Sequence, residues 1–141
     1  ELRADKEVCL LAMKLSGKVL EYFSSDLRAD REVVLAAVRR TGLALEFASK
    51  ELQADREVVL VAVSQDARAF KHASVELRDD FDFVMEAVSL RREALVFNVE
   101  LKQMERSYVC YGWMVLRYAS PTVRSNTAVI KKAVEFDWRA L

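Results

Sequence analysis

Residues 27–49 read LRADREVVLAAVRRTGLALEFAS. A near copy precedes them at 2–24, LRADKEVCLLAMKLSGKVLEYFS, and another follows at 52–74, LQADREVVLVAVSQDARAFKHAS. Self-similarity at a fixed period marks a repeat architecture. Leu2, Leu27, Leu52 and Leu77 share one slot, Asp5, Asp30, Asp55 and Asp80 a second. Glu7, Glu32, Glu57 and Asp82 share a third, and Ala12, Ala37, Ala62 and Ala87 a fourth. The units 27–51 and 52–76 agree at 14 of 25 positions, which sets the period at 25.

The whole chain, 1–141, divides as one helical-repeat domain into units 2–26, 27–51, 52–76, 77–100, 101–122 and a partial 123–141. Asn126 takes the capping slot of the sixth unit, 46 residues after Asp80 where two periods would give 50. The loss of four residues, about one helical turn, falls in the expected first helix of the fifth unit, MERSYVCYG. Glu1 is not an initiator Met and Leu141 falls within a unit, so the chain reads as a segment of a longer protein.

Each unit reads as two short helices. Asp is a good N-cap, because its carboxylate accepts from free backbone N–H groups. The Glu two residues later favours the positive end of the helix dipole. Bases gather in the last turn at Lys14, at Arg39 and Arg40, and at Arg91 and Arg92. Gly17 and Gly42 follow, where a left-handed C-cap is expected. The second helix is short, as in LALEFAS. The run EVVLVAV is rich in β-branched residues and could by itself be a strand. Acids at the start, bases at the finish and Gly beyond are helix punctuation, and they decide for helix. In VVLAAV six successive positions are apolar, so this helix has almost no face to give to solvent. One such unit cannot bury its own apolar surface, whereas a stack can. The expected fold is all-α, an α-solenoid of short helical hairpins with about five and a half repeats and no sheet.

The pattern L-x-x-D-[KR]-E-V-V-L-x-A-V followed by G-x-A-L-E-[FY]-A-S resembles the family of domain of unknown function 4116. Residues 27–51 match it best, through LRADREVVLAAV and GLALEFAS. Residues 52–76 keep the first half and have Ala67 for Gly, and 77–100 keep only spacing and apolar slots. GWMVLRYAS at 112–120 fits again with one extra residue after Gly112. The resemblance covers most of the chain. It implies no activity, since the family has no assigned chemistry, and it implies a protist or algal source.

Composition is that of an ordered soluble protein, 52% hydrophobic and 31% charged, well above what a disordered chain carries. Net charge is zero, which gives no general attraction to nucleic acid or anionic membrane. No apolar run approaches the roughly 20 residues that span a bilayer. The two cysteines, Cys9 and Cys110, make no disulfide framework, and Cys9 fills a slot that is Val in the next units, as a buried thiol would.

The search for chemistry finds little. His72, the one histidine, stands in the slot of Tyr22, Phe47 and Phe97 and reads as a packed aromatic substitute. One His and two distant Cys lack metal-ligand spacing. The three glycines are too far apart for a phosphate loop, and capping explains the carboxylate ladder without acid–base work. No catalytic residue, cofactor or metal is expected. Arg3, Arg28, Gln53, Arg78 and Lys102 follow the repeated Leu, and Glu1, Asp26, Glu51, Glu76 and Glu100 precede it. They read as a mutually paired, solvated edge of little energetic weight, with the charged edge of a groove as the functional alternative.

Charge is uneven along the chain. Residues 77–100 hold three bases and six acids, and residues 101–141 hold seven bases and three acids. Both tryptophans and three of the four tyrosines lie after residue 100. Tyr, Trp and Arg dominate binding hot spots, so Arg106, Tyr108, Tyr111, Trp113 and Arg117, beside the missing turn, are the candidate partner-binding residues. The reading is a non-enzymatic scaffold mediating protein–protein interaction. The alternatives are an accessory subunit of a large, organellar, algal or protist complex, and a regulatory segment of a larger enzyme. No nucleic-acid partner and no transmembrane segment are expected.

Overall fold

A computed structural model describes residues 2–98, 103–110 and 112–137. The described chain is helical apart from one two-stranded hairpin. It begins with α1 (Leu2–Leu15) and the 3-10 helix η1 (Gly17–Tyr22). The second unit holds α2 (Ser25–Ala29), α3 (Arg31–Arg40) and η2 (Gly42–Phe47). The third repeats this with α4 (Lys50–Gln53), α5 (Arg56–Gln65) and η3 (Ala67–His72). Then come α6 (Val75–Asp79), α7 (Phe81–Val88), β1 (Arg91–Asn98) and β2 (Gln103–Cys110). The remainder is α8 (Gly112–Tyr118), α9 (Pro121–Arg124) and α10 (Thr127–Asp137).

The second and third units therefore have three helical pieces where two are expected. The reason is a second N-cap. Ser24, Ser49, Ser74 and Ser120 accept through Oγ from the N–H three residues on, at Leu27, Leu52, Leu77 and Val123. In the first three cases an aspartate cap follows six residues later, leaving room for about one turn between the two caps. LALEFAS is a 3-10 piece, closed by Ala48 N–H donating to the Leu45 carbonyl. Such tight turns stay short because their side chains eclipse at every third residue.

The expected left-handed glycine caps are also corrected. The residues between long helix and 3-10 helix, Ser16, Thr41 and Asp66, are extended, with φ of −159°, −144° and −151°. Gly17 and Gly42 answer a different need. A Cβ on Gly17 would collide with the Ala37 carbonyl oxygen and lie 2.9 Å from Thr41 Cβ. One on Gly42 would collide with the Ala62 carbonyl oxygen and lie 3.0 Å from Asp66 N. The 3-10 helices η1 and η2 start against the backbone of the next unit's long helix, at its small alanine, and only a bare Cα fits there; η3 starts with Ala67 instead.

Two further ties recur between units. The Ser49 N–H donates to the Arg28 carbonyl, Ser74 to Gln53 and Ser120 to Arg78, each at 2.9 Å. The aspartate caps divide their oxygens: Oδ1 of Asp30 accepts from the Glu32 and Val33 N–H groups, that of Asp55 from Val58 and that of Asp80 from Phe83. Oδ2 accepts from the base one unit earlier: Lys6 Nζ to Asp30 at 2.8 Å, Arg31 Nε to Asp55 at 3.3 Å and Arg56 Nη1 to Asp80 at 2.8 Å. Lys6 also reaches Glu32, and Arg31 reaches Glu57. Arg56 lies with its guanidinium 4.9 Å from the Phe83 ring centroid. Phe81 occupies the next base slot, and the ladder ends there.

The core is one continuous cluster built from the slots the sequence marks as apolar. Val33, Val34, Val38, Leu45, Val58, Val59, Phe70, Phe83 and Val84 are completely buried. Each such side chain contributes about 1.5–3 kcal/mol relative to exposure. Cys9 is buried, as its slot predicts.

The expected shortened helix over MERSYVCYG does not form. Residues 103–110 are strand, paired antiparallel with 91–98 in the register Arg91 with Cys110 through Asn98 with Gln103. Arg91 and Arg92, expected to end a helix, begin β1. The physical reason is missing punctuation. Arg92 stands where Gly17 and Gly42 stand, and Glu105 replaces the capping Asp, a poorer N-cap. Leu95, Val96 and Phe97, and Tyr108 and Val109, favour a pleated chain. A two-stranded hairpin is marginal alone, and this one rests against α5 through β1 and against α10 through β2. Beyond it, α8 packs on α7, η3 and α10, and α10 packs on α7.

Candidate partner-binding surface

The 3-10 helices and the short α-helices that follow them form one side of the chain, with η1 against η2, η2 against η3 and η3 against α8. Between η2–α4 and η3–α6 lies an open groove of about 560 Å³. Its charged and polar walls are Glu46, Lys50, Lys71, His72, Glu76 and Arg78. The repeat explains this mixture. Glu46 and Lys71 share one slot of successive units, and Glu76 and Arg78 flank the repeated Leu77.

His72 fills the aromatic slot as read from sequence. Its side chain is only 15% exposed, with Nε2 3.8 Å from the Glu46 carboxylate. Burial pushes the imidazole below its ordinary range, against the pull of Glu46, with Lys71 and Lys50 adding to the depression. A neutral ring in an aromatic slot follows from burial disfavouring the charged form.

Among the described residues, the ladder flanking the repeated Leu is not the paired solvated edge expected; Glu1, Glu100 and Lys102 lie outside them. Gln53 is buried and donates through Nε2 to the Leu45 and Glu46 carbonyls, at 3.0 and 3.1 Å. It thus adds a side-chain donor at the carbonyl end of η2, where the Leu45 carbonyl also accepts from the Ala48 N–H. Arg28 and Arg78 occupy the same slot half-buried, with Nε enclosed and unbonded in both. Among the described residues, no ion pair joins them to Asp26, Glu51 or Glu76, which are exposed. The bases that reach the capping aspartates one period on are Lys6, Arg31 and Arg56. Their signal was present in the [KR] that follows Asp5, Asp30 and Asp55, one period ahead of the next acid pair.

The five predicted residues fall on different elements. Trp113 and Arg117 lie on α8; Trp113 is 52% exposed, and the Arg117 guanidinium lies 6.0 Å from the Tyr118 ring centroid. Arg106 and Tyr108 lie on β2, opposite Leu95 and Glu93 of β1. Tyr111 lies outside the described residues, as does Trp138. The missing turn they were to border does not exist; a hairpin stands there. Among the described residues, no group of three or more His, Cys, Asp or Glu could hold a metal ion, and no helix is long and apolar enough to cross a membrane.

These features define a helical repeat-like domain. The family model of the domain of unknown function (DUF4116) matches residues 2–53 and 55–97, and the chain belongs to that family. The match stops within β1, short of β2 and α8. No curated protein matches the chain, and no solved structure does.

Proposed function

We propose that the chain is an α-solenoid scaffold that binds another protein. It comprises four repeats and the start of a fifth, and the fourth is interrupted by the hairpin. In this division α8 is the second half of the fourth unit, and the fifth begins at Val123. The observation that carries the reading is the recurrence of one inter-unit tie, Lys6 to Asp30, Arg31 to Asp55 and Arg56 to Asp80, each spanning 24 residues. Units tied only to their neighbours give an elongated body with a long exposed side, and such bodies suit protein contacts. The groove lined by Lys71, His72 and Arg78, together with exposed Trp113 and Arg117 on α8, the helix that packs on η3, supplies the aromatic and arginine content of a binding patch.

The test is affinity capture from the source cells with the 141-residue chain, in parallel with a Lys71→Glu, Arg117→Glu double variant. The scaffold reading expects a protein recovered by the first and lost by the second, with circular dichroism unchanged. Recovery at fixed stoichiometry within one large assembly assigns the chain as a subunit; varied partners assign it as an adaptor. Equal recovery by both chains overturns this surface.

A further inference from the structure

We infer that the exposed face of α1 is a stacking surface for one more repeat of the same kind, one carrying Lys or Arg in the slot of Lys6. The inference rests on comparing equivalent slots. Val33, Val58 and Phe83 are completely buried, yet Val8 in the same slot is 64% exposed. Ala37 and Ala62 are fully buried and Ala87 is 2% exposed, whereas Ala12 is half-buried. Leu11 adds a further 59% exposed aliphatic side chain to this face. The opposite side of α1 behaves like its counterparts: Cys9 and Met13 are buried, as Val34 and Val38 are. The helix is therefore covered on the side toward the second unit and bare on the other.

The interior of the chain shows what covers this face elsewhere. On α3 it is the preceding long helix α1 and the 3-10 helix η1, with Gly17 set against Ala37. The charge pattern asks for the same neighbour. Glu32 and Glu57 receive a base from one unit earlier, while Glu7, in their slot, is exposed with no such base among the described residues. An occupant with apolar residues in the slots of Val34 and Val38, a glycine in that of Gly42 and a base in that of Arg31 would meet every one of these features. A member of the repeat series has that composition.

A second copy of this chain fits less well. The outer face of α10 does offer Ile130 and Val134, 40% and 58% exposed, in the slots of Val34 and Val38. Its ladder slot, however, holds Thr127 instead of a base, so Glu7 would gain no partner.

The test places a copy of residues 27–51 directly ahead of Leu2, so that the added unit joins in the register of the existing ones. Amide exchange over residues 6–13 should slow by about tenfold or more, and the melting temperature should rise. The same extension bearing Lys at the slots of Val34 and Val38 should give neither effect. An extension that leaves exchange in α1 unchanged overturns the inference. Sedimentation of the unextended chain tests the second-copy alternative. Concentration-dependent association abolished by Val8→Lys and equally by Val134→Lys would assign this face to another copy and overturn the inference as well.

Discussion

Gly112 stands against Ala133 as Gly42 stands against Ala62. A Cβ on Gly112 would lie 3.2 Å from Ala133 Cα and 3.2 Å from Val88 Cγ1, while one on Gly42 would collide with the Ala62 carbonyl oxygen. Ala133 follows Asn126 by seven residues, as Ala62 follows Asp55. The close approach of a glycine to a long helix, seen at Gly17 and Gly42, is thus found again beyond the hairpin.

These contacts reverse the usual sign of a helical glycine substitution. Gly→Ala in a helix interior is ordinarily favourable by about 0.5–1 kcal/mol. At Gly42 the methyl group would meet the Ala62 carbonyl oxygen and Asp66 N, which are backbone, as well as the Gln65 side-chain oxygen, so Gly42→Ala is expected to destabilise by about 1–3 kcal/mol, the range for overpacking. At Gly112 the neighbours are an alanine Cα and a valine methyl at 3.2 Å, so the cost is smaller. Urea unfolding of both variants checks the order; a Gly42→Ala chain as stable as the parent would contradict the close approach.

Asp30 serves two partners with two oxygens, and its substitutions separate them. Asp30→Asn keeps an oxygen for the Glu32 and Val33 N–H groups but loses the charge facing Lys6. Asp30→Ala loses both. The expected cost of Ala is about 0.5–2 kcal/mol, characteristic of a lost N-cap. Asn should cost no more than a few tenths to about 1 kcal/mol, as a partly exposed ion pair is worth. Equal losses in chemical denaturation would mean that the cap contributes nothing.

The same carboxylates give the chain an acid limit. In Asp80 the Phe83 N–H bond is the largest influence; burial opposes it, Arg56 assists, and the carboxyl is held below its usual range. Asp30 and Asp55 are also lowered: burial acts to raise them, and Lys6 with the Val33 N–H, and the Val58 N–H with Arg31, outweigh it. A folded-state pKa below the unfolded value means that the unfolded chain binds protons first as pH falls. This stability is therefore present above the ordinary aspartate value of about 3.9 and is lost as pH falls through the folded-state values. His72, lowered by burial, adds a separate loss beginning near the unfolded histidine value of about 6.5. Melting temperature followed from pH 7.5 to 3 should fall in two stages, and His72→Phe should remove the first and leave the second.

How much of this was legible in the sequence depends on how local the cause is. The caps at Asp30, Asp55 and Asp80 and the buried slots at Val34, Val59 and Cys9 follow from residue type and period, and they stand. The role of Gly17 and Gly42 was misread because a glycine after a helix has two explanations, and only the position of the next unit's backbone distinguishes them. Lys6, Arg31 and Arg56 were visible as a repeated base, but their partners lie 24 residues away and appear only once units are placed side by side. The hairpin was hidden by arithmetic. An interval of 46 residues between Asp80 and Asn126 equally suits two periods less four and one period plus 21. Of the predicted partner residues, Trp113 and Arg117 stand on α8, while Arg106 and Tyr108 belong to the strand that the period could not reveal.

The insertion can be tested by removing it. In the regular units the capping Asp precedes the residue that starts the 3-10 helix by 12, as Asp30 precedes Gly42 and Asp55 precedes Ala67. Asp80 precedes Gly112 by 32. Deleting residues 92–111 restores the spacing of 12 and sets Arg91 before Gly112, as Thr41 precedes Gly42. The Ser120 N–H bond to the Arg78 carbonyl and the packing of α8 on η3 and α10 need no residue from the deleted stretch. The shortened chain is therefore expected to fold, with a cooperative thermal transition close to that of the parent and the strand contribution gone from its circular dichroism. If residues 101–122 were instead a unit of the stack, the deletion would remove an internal layer of core. A cavity of that size costs more than the 2–5 kcal/mol of a single large-to-small core change, and little of the 5–15 kcal/mol that holds a domain together would remain. A molten or aggregated product, with the hairpin-free chain showing no cooperative transition, would rule out the division proposed.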